Sequence, residues 1–238
     1  FIYIDPSRRV SGNRKVFSFT DCEPDITVLL PNIFDKTSHV LIKASPLLDL
    51  QRGWKSLVSV KSIFVIAVEN ECKEVLFYCE KNFVGEPVIE AIHLSRGTIS
   101  NKLNFTTSSE RSCTPVYSQP LLYLYEPNVA ILKAGAFKTV GTRYNVSKLH
   151  PHTHLYTSET LDSNFPGRIF KIIAQVKPDS KSVGGYFPQG KANIMTRNYP
   201  LTVEQLRNKT RLKEGGDSFL IGFSGTEKKF LVFAERVL

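Results

Sequence analysis

A chain of 238 residues, 42% hydrophobic and 22% charged, is rich enough in apolar side chains to exclude a disordered segment; it has room for one large domain or about two or three small ones. No apolar run approaches the roughly 18–20 residues that span a bilayer, and no signal peptide is visible, so a cytoplasmic protein without a membrane partner is expected. The formal charge of +9 is uneven: residues 1–100 hold 12 Lys+Arg against 12 Asp+Glu, residues 101–166 hold 6 against 4, and residues 167–238 hold 13 against 6. An excess confined to the C-terminal part suggests a module facing a polyanion, with solubility as the plainer alternative.

The first residues, Phe1-Ile2-Tyr3-Ile4-Asp5, read as a buried parallel strand that ends at an acid. The chain therefore reads as the surviving part of a larger enzyme, cut at a catalytic strand, and an open sheet edge left there predicts self-association. After a loop, Ile26, Leu29, Leu30 and Ile33 sit at helical spacing with Pro31 among them, predicting a short or kinked helix. Val40–Lys43 and Ile63–Glu69 are further strands, separated by a helix or turn over 51–62. Residues 70–82 are ambiguous: Val75, Phe77 and Cys79 alternate as in a strand, while Glu74 and Tyr78 fit a helical turn. Pro87–Ser95 is another strand, so strand, helix, strand, helix, strand and a closing antiparallel pair are expected, the second half of an open α/β sheet.

Residues 97–120 are rich in Ser and Thr and read as a linker. Leu121–Pro127 predicts a strand, residues 128–145 one helix, and Leu149–Ser158 an extended segment; this β-α-β piece is too small to fold comfortably alone. Gly167–Pro178 and Ala192–Thr196 follow as strands, Thr202 and Gln205 as a capping box for a helix over 203–212, and residues 213–238 as a closing hairpin turning near Gly225-Thr226.

Ligands in open α/β sheets sit beyond the carboxyl ends of the strands, where Asp5 lies. Pro6 removes a backbone N–H and fixes the turn, and Arg8 and Arg9 are suited to a phosphate or carboxylate. Lys191, Arg197, Arg207, Lys209, Arg211 and Lys213, with Tyr199 nearby, form a basic cluster with one aromatic. Its readings are phosphate contact or a solvated helix face. Three histidines in five residues, His150, His152 and His154, would share one side of an extended segment, but no Cys or acid stands nearby at ligand spacing and no metal is expected. Cys22, Cys72, Cys79 and Cys113 are irregularly spaced with no C-x-x-C, which suits reduced thiols; Cys72 and Cys79 are apolar fillers before they are nucleophiles. His39 and His93 are isolated and read as hydrogen-bonding residues.

The blocks Asp5-Pro6-Ser7-Arg8-Arg9 and Asp21-Cys22-Glu23-Pro24-Asp25 resemble the motif IV region of bacterial class I S-adenosylmethionine-dependent methyltransferases that carry a THUMP-like domain. Glu71-Cys72-Lys73-Glu74 resembles a later block of the same group, residues 125–137 and 149–158 its ferredoxin-like insert, and residues 191–217 its THUMP-like domain. The resemblance implies a partial Rossmann-like methyltransferase domain over 1–100, a linker and ferredoxin-like β-α-β unit over 101–165, and a basic α+β THUMP-like domain over 166–238. It further implies methyl transfer from S-adenosylmethionine to RNA (tRNA or rRNA). Asp5 would position the acceptor, Arg8 or Arg9 would anchor a substrate phosphate, and the C-terminal cations would hold RNA. The glycine-rich donor loop of such enzymes precedes motif IV and is absent from these residues, so this stretch alone is expected to be inactive. A non-catalytic RNA-binding module and a methyltransferase acting on a protein or small molecule are the alternatives.

Overall fold

The computed structural model describes residues 1–7 and 18–237 in full and Arg8 by its backbone; Arg9 lies outside the described residues. The chain forms two compact units, Phe1–Ser112 with Val129–Ala136, and Cys113–Asn128 with Phe137–Leu238.

The first unit is built on a six-stranded mixed sheet. Its strands are β1 (Ile2–Ile4), β4 (His39–Ala44), β5 (Val60–Val68), β6 (Glu71–Glu80), β7 (Val88–Ser95) and β8 (Thr98–Phe105), in the spatial order β1-β4-β6-β5-β7-β8. A two-stranded ribbon, β2 (Ser7–Arg8) with β3 (Cys22–Glu23), follows β1. Helices α1 (Ile26–Ile33) and α2 (Leu50–Ser56) connect β1 to β4 and β4 to β5, α3 (Thr107–Ser112) follows β8, and α4 (Val129–Ala134) packs on β5, β6 and β7. Asp25 caps α1, accepting from the Thr27 N–H at 3.0 Å, and Ile26 and Leu30 are fully buried on its sheet side. Pro31 falls near the end of this eight-residue helix and keeps it short. Helix α2 lies close on the sheet at Gly53, where a Cβ would stand 2.7 Å from the Phe77 ring.

The alternation of Val75, Phe77 and Cys79 decides the ambiguous segment: all three are fully buried and β6 is a strand. The expected closing pair is not a pair. Strand β6 instead folds back antiparallel on β5 and lies between β5 and β4, while β7 joins β5 in parallel. The cause is the two-residue turn Glu69-Asn70, both residues at positive φ (47° and 60°), as a type I′ hairpin requires. Arg96-Gly97 (φ 51° and 76°) makes a second such turn, so the segment read as a linker returns as strand β8 and helix α3. Strand β8 is mostly exposed, with Leu103 and Phe105 as its buried residues, which is why its composition reads as polar loop.

The second unit contains one seven-stranded sheet of β9 (Tyr123–Pro127), β10 (Ser147–His150), β11 (Thr153–Ser158), β12 (Gly167–Gln175), β13 (Lys191–Arg197), β14 (Lys213–Ser224) and β15 (Lys229–Arg236), ordered β10-β11-β9-β12-β15-β14-β13. Helix α5 (Thr139–Arg143) precedes β10, α6 (Ser180–Gly184) precedes β13, and α7 (Val203–Thr210) precedes β14. The single helix expected over 128–145 is broken, because Gly135 takes φ +84° and ends α4 before α5 begins. The extended segment over 149–158 is likewise a hairpin, turning at Pro151-His152, so the three histidines do not share a strand face.

Both faces of this sheet are apolar. On one, Leu124, Leu155, Phe170, Ile221, Phe223 and Val232 pack together. On the other, Leu220, Leu231 and Phe233 meet Val183 of α6 and Leu206 of α7. Neighbours along β14 and β15 thus serve opposite cores, as a two-residue period demands. The capping box forms: Thr202 Oγ1 accepts from the Gln205 N–H at 3.2 Å, and Gln205 Oε1 accepts from the Thr202 N–H at 2.9 Å. The sheet curls far enough that Arg197, on edge strand β13, reaches Glu126 on β9.

Candidate functional site

In the first unit, a cleft of about 330 Å³ lies at the carboxyl ends of the parallel strands β1 and β4. Asp5 and Pro6 line it from the end of β1, and Lys43, Ala44, Ser45 and Pro46 from the end of β4. Lys73 and Glu74 of β6 and the Ser18–Cys22 turn complete it. Lys43 Nζ stands 3.0 Å from Asp5 Oδ2 and 3.4 Å from Glu74 Oε1. The hydrogen bond that Lys43 donates to Asp5, and secondarily the Glu74 charge, hold the Lys43 ammonium above its ordinary pKa of 10.5, so it stays a cation at neutral pH. The other Asp5 oxygen has no partner among the described residues and is open to an N–H donor.

The β2–β3 ribbon pairs Ser7 with Glu23 and Arg8 with Cys22, which lays the Asp-Pro-x-Arg-Arg block against the Asp-Cys-x-Pro-Asp block. Asp5 and Pro6 are therefore in the cleft, Arg8 is placed by its backbone beside it, and the reading of Arg9 falls outside the described residues. Sequence reasoning missed Lys43 and Glu74. The signal for Lys43 was available, since it stands one residue before the end of a parallel strand, as Asp5 stands one residue after one. Neither Cys72 nor Cys79 is activated by its surroundings: burial pushes the Cys79 thiol up to about 12 and raises that of Cys72 as well, with nearby Lys133 opposing it. His39 and His93 are hydrogen-bonded, His39 Nδ1 to the Tyr78 hydroxyl at 2.8 Å and His93 Nε2 to the Asn70 N–H at 2.9 Å.

In the second unit the basic cluster divides. Arg197 is committed to Glu126 through Nε at 2.6 Å, and Arg207 reaches Glu214 at 3.3 Å. The Tyr199 ring lies over Gly222, where a Cβ would come within 2.9 Å of it; it packs on the sheet rather than standing free for a base. Lys191, Lys209, Arg211 and Lys213 are exposed, and none has an ion-pair partner among the described residues. Lys191 and Lys213 are register partners on β13 and β14, and Lys209 and Arg211 stand at the end of α7, where cations also complement the helix dipole. Among the described residues, no group of three or more His, Cys, Asp and Glu could hold a metal ion, and no helix is long and apolar enough to cross a membrane.

A mixed α/β sheet with its cleft at parallel strand ends defines a class, and comparison with known proteins narrows it. A ferredoxin-like domain model matches residues 123–166, and a THUMP domain-like model matches residues 167–236. The crystal structure of a candidate methyltransferase from Porphyromonas gingivalis superposes with a TM-score of 0.89 at 36% identity, over 99% of this chain and 59% of that one. Two curated proteins of Mycobacterium tuberculosis, each described as an uncharacterised S-adenosylmethionine-dependent methyltransferase, are 22% identical over 224 residues, which is 89% of this chain and 56% of theirs. The chain thus spans somewhat more than half the length of the relatives it matches. Its resemblance to methyltransferases carrying a ferredoxin-like and a THUMP-like domain stands on these matches. The strands of the two matched segments lie in one sheet, β9–β11 joined to β12–β15 through β9 and β12.

Proposed function

We propose that this chain is the acceptor-facing and RNA-holding portion of an S-adenosylmethionine-dependent methyltransferase. The observation that carries the reading is the Asp5 carboxylate, held by Lys43 at the mouth of a cleft between two parallel strand ends. The cleft suits the reacting end of the donor: two carboxylates, Asp5 and Glu74, face a space walled by Phe19, Pro46 and Leu48. Among the described residues no glycine lines it, so the reading assigns the backbone cradle for the rest of the donor to residues outside those described here. When bound, S-adenosylmethionine supplies an electrophilic methyl group. Methyl transfer is then mostly a matter of alignment. Asp5 accepts an N–H of the acceptor through its open oxygen, and Lys43 fixes the other so that the carboxylate cannot rotate. Pro6, with no N–H, leaves the turn open, and Arg8 or Arg9 holds a substrate phosphate. In the second unit Lys191, Lys209, Arg211 and Lys213 contact RNA phosphates. Residues 1–100, 101–165 and 166–238 are the proposed catalytic, ferredoxin-like and THUMP-like parts.

The test is calorimetric titration of S-adenosylmethionine into this chain and into a version extended upstream, followed by transfer of labelled methyl groups to bulk tRNA and rRNA. Binding and transfer by the extended chain alone are expected. Failure of the extended chain to bind the donor would overturn the reading.

A further inference from the structure

The histidines at 150 and 152 find their place in a second cleft. In the second unit, His150 and His152 at the β10–β11 turn face the β14–β15 turn across a space of about 330 Å³, lined also by Asn198, Ser224, Gly225, Thr226, Glu227, Lys228 and Lys229. The two turns are tied together. Thr153 Oγ1 donates to the Ser224 carbonyl at 2.8 Å, Asn198 Nδ2 donates to Thr153 Oγ1 at 3.2 Å, and the Ser224 hydroxyl donates to the Asn198 carbonyl. Asn198 takes φ +51°, a left-handed conformation that Asn tolerates better than most residues. The β14–β15 turn is closed by the Gly225 N–H on the Lys228 carbonyl at 2.8 Å, and Lys228 Nζ lies 5.1 Å from the centre of the Phe230 ring.

His150 decides the chemistry. Its Nδ1 accepts the His152 backbone N–H at 3.0 Å and faces Asn198 Nδ2 at 3.4 Å. With Nδ1 used as an acceptor, the neutral ring carries its proton on Nε2. The neutral ring of this cleft-lining residue therefore has an N–H donor to offer at Nε2, not the lone pair that a metal would need. Lys228, Lys229, the Thr226 hydroxyl and this ring add donors to one opening, against the single carboxylate of Glu227.

We propose that this cleft binds a phosphodiester group and gives the second unit another grip on RNA, at the opposite end of the 12-residue strand β14 from Lys213. Strand β14 bulges after Glu214, and its partner β13 covers Lys213–Phe223 with only the seven residues Lys191–Arg197, so at ~3.3 Å per residue the two grips stand on the order of 20 Å apart. The proposal rests on the reading of this unit as the RNA-holding part, and its test separates the two.

The probes are a mixed-sequence single-stranded RNA oligonucleotide, inorganic phosphate and polyglutamate, added to the full 238-residue chain with anisotropy and amide NMR as readouts. K228Q/K229Q is expected to weaken oligonucleotide binding about tenfold and to lower the salt slope by about 1.4, while E227Q tightens binding. Phosphate is expected to shift the His150, His152 and Asn198 signals. Weakening by K209Q/R211Q with none by K228Q/K229Q would leave the RNA reading intact and overturn the cleft. No oligonucleotide binding at low salt, with phosphate shifts at His150, would overturn RNA and keep the cleft as a phosphate site. Absence of those shifts, or displacement of the oligonucleotide by polyglutamate at equal charge, would overturn the proposal.

Discussion

Lys43 Nζ, on β4, lies 3.0 Å from Oδ2 of Asp5, just past β1, so one ion pair joins the ends of two parallel strands. Both side chains are substantially solvated, at 31% and 53% exposed, so the pair adds little to stability. What it supplies is orientation. The raised Lys43 pKa means that the ammonium half of the pair stays fully charged from the neutral range up to the ordinary 10.5 and is lost as pH rises through the folded value. Across the neutral range the Asp5 carboxylate therefore keeps one oxygen fixed by Lys43 and one without a partner among the described residues.

If Asp5 positions the acceptor, D5N in the upstream-extended enzyme should lower kcat by roughly 10²–10⁴-fold. K43M should lower it by about tenfold by freeing the carboxylate, with a KM change smaller than the kcat change. Neither variant should shift unfolding stability measurably, since the pair is exposed. Steady-state kinetics with urea unfolding on the same preparations reads both quantities. A K43M enzyme with unchanged kcat would remove Lys43 from the site.

Glu126 is buried to 3% exposure and is held by Arg168 and by Arg197, the latter through Nε at 2.6 Å. Removing one partner of a buried pair costs about 3–5 kcal/mol when the other charge stays buried. Here both arginines are partly exposed, at 31% and 40% for their side chains, and can turn to water. E126Q should therefore cost about 2–3 kcal/mol, and R197M only about 1 kcal/mol, because Arg168 still neutralises Glu126. Urea midpoints for the two variants give the comparison. Equal losses would mean that the curl of the sheet depends on Arg197 itself.

How far the sequence carried these conclusions depends on which physical signal each element uses. Strands with a two-residue period and caps with local side-chain chemistry were legible: β12, β13, the β14–β15 hairpin and the Thr202–Gln205 box all lie where the pattern puts them. The turn at Glu69-Asn70 was not, because neither residue is the glycine that usually marks positive φ, and without it β6 could not be placed between β4 and β5. Strand β8 was missed because an exposed edge strand needs few apolar residues. Asp5 was legible by the strand-end rule, which reaches Lys43 as well; Glu74 becomes their neighbour only through the tertiary pairing of β6 with β4, which composition does not encode. The division of the basic cluster was hidden for the same reason, since Glu126 and Arg197 are 71 residues apart in sequence.

Two glycines separate a soft contact from a hard one. At Gly167 a Cβ would fall 2.0 Å from the Glu126 carbonyl oxygen, which is backbone of the adjacent strand and cannot yield without breaking the β9–β12 register. At Gly222 the Cβ would meet the Tyr199 ring at 2.9 Å, and that half-buried ring can slide. G167A should cost at least about 4 kcal/mol and reduce soluble yield, while G222A should cost about 1–2 kcal/mol. Thermal unfolding of both variants is the measurement. A G222A loss as large as that of G167A would show that Tyr199 is fixed by more than its contact with the sheet.

His154 gives the second unit an acid-sensitive point. Burial first, then the Lys148 and His152 charges, lower its pKa from 6.5 to about 4. The ring stacks on Phe137 with centroids 3.7 Å apart, and its Nδ1 lies 3.4 Å from Lys148 Nζ, a contact that suits the neutral ring. The folded pKa is below the unfolded one, so the unfolded chain binds the extra proton between these values. Stability is then complete above about 6.5 and falls as pH drops toward 4, by about 2 kcal/mol once the ring's partial exposure is discounted. Among groups with lowered carboxylate pKa values, Glu69, Glu80, Glu86 and Asp179 lose their contributions only below their ordinary 4.5 or 3.8, so they do not compete in the upper part of this window. Hydrogen exchange at the Leu155 and Tyr156 amides, followed from about pH 7 to 5, should therefore lose protection in the native chain. In H154F, which keeps an aromatic ring against Phe137 but cannot take a proton, the same amides should keep their protection across that range. A parallel loss in both proteins would assign the acid sensitivity to another group.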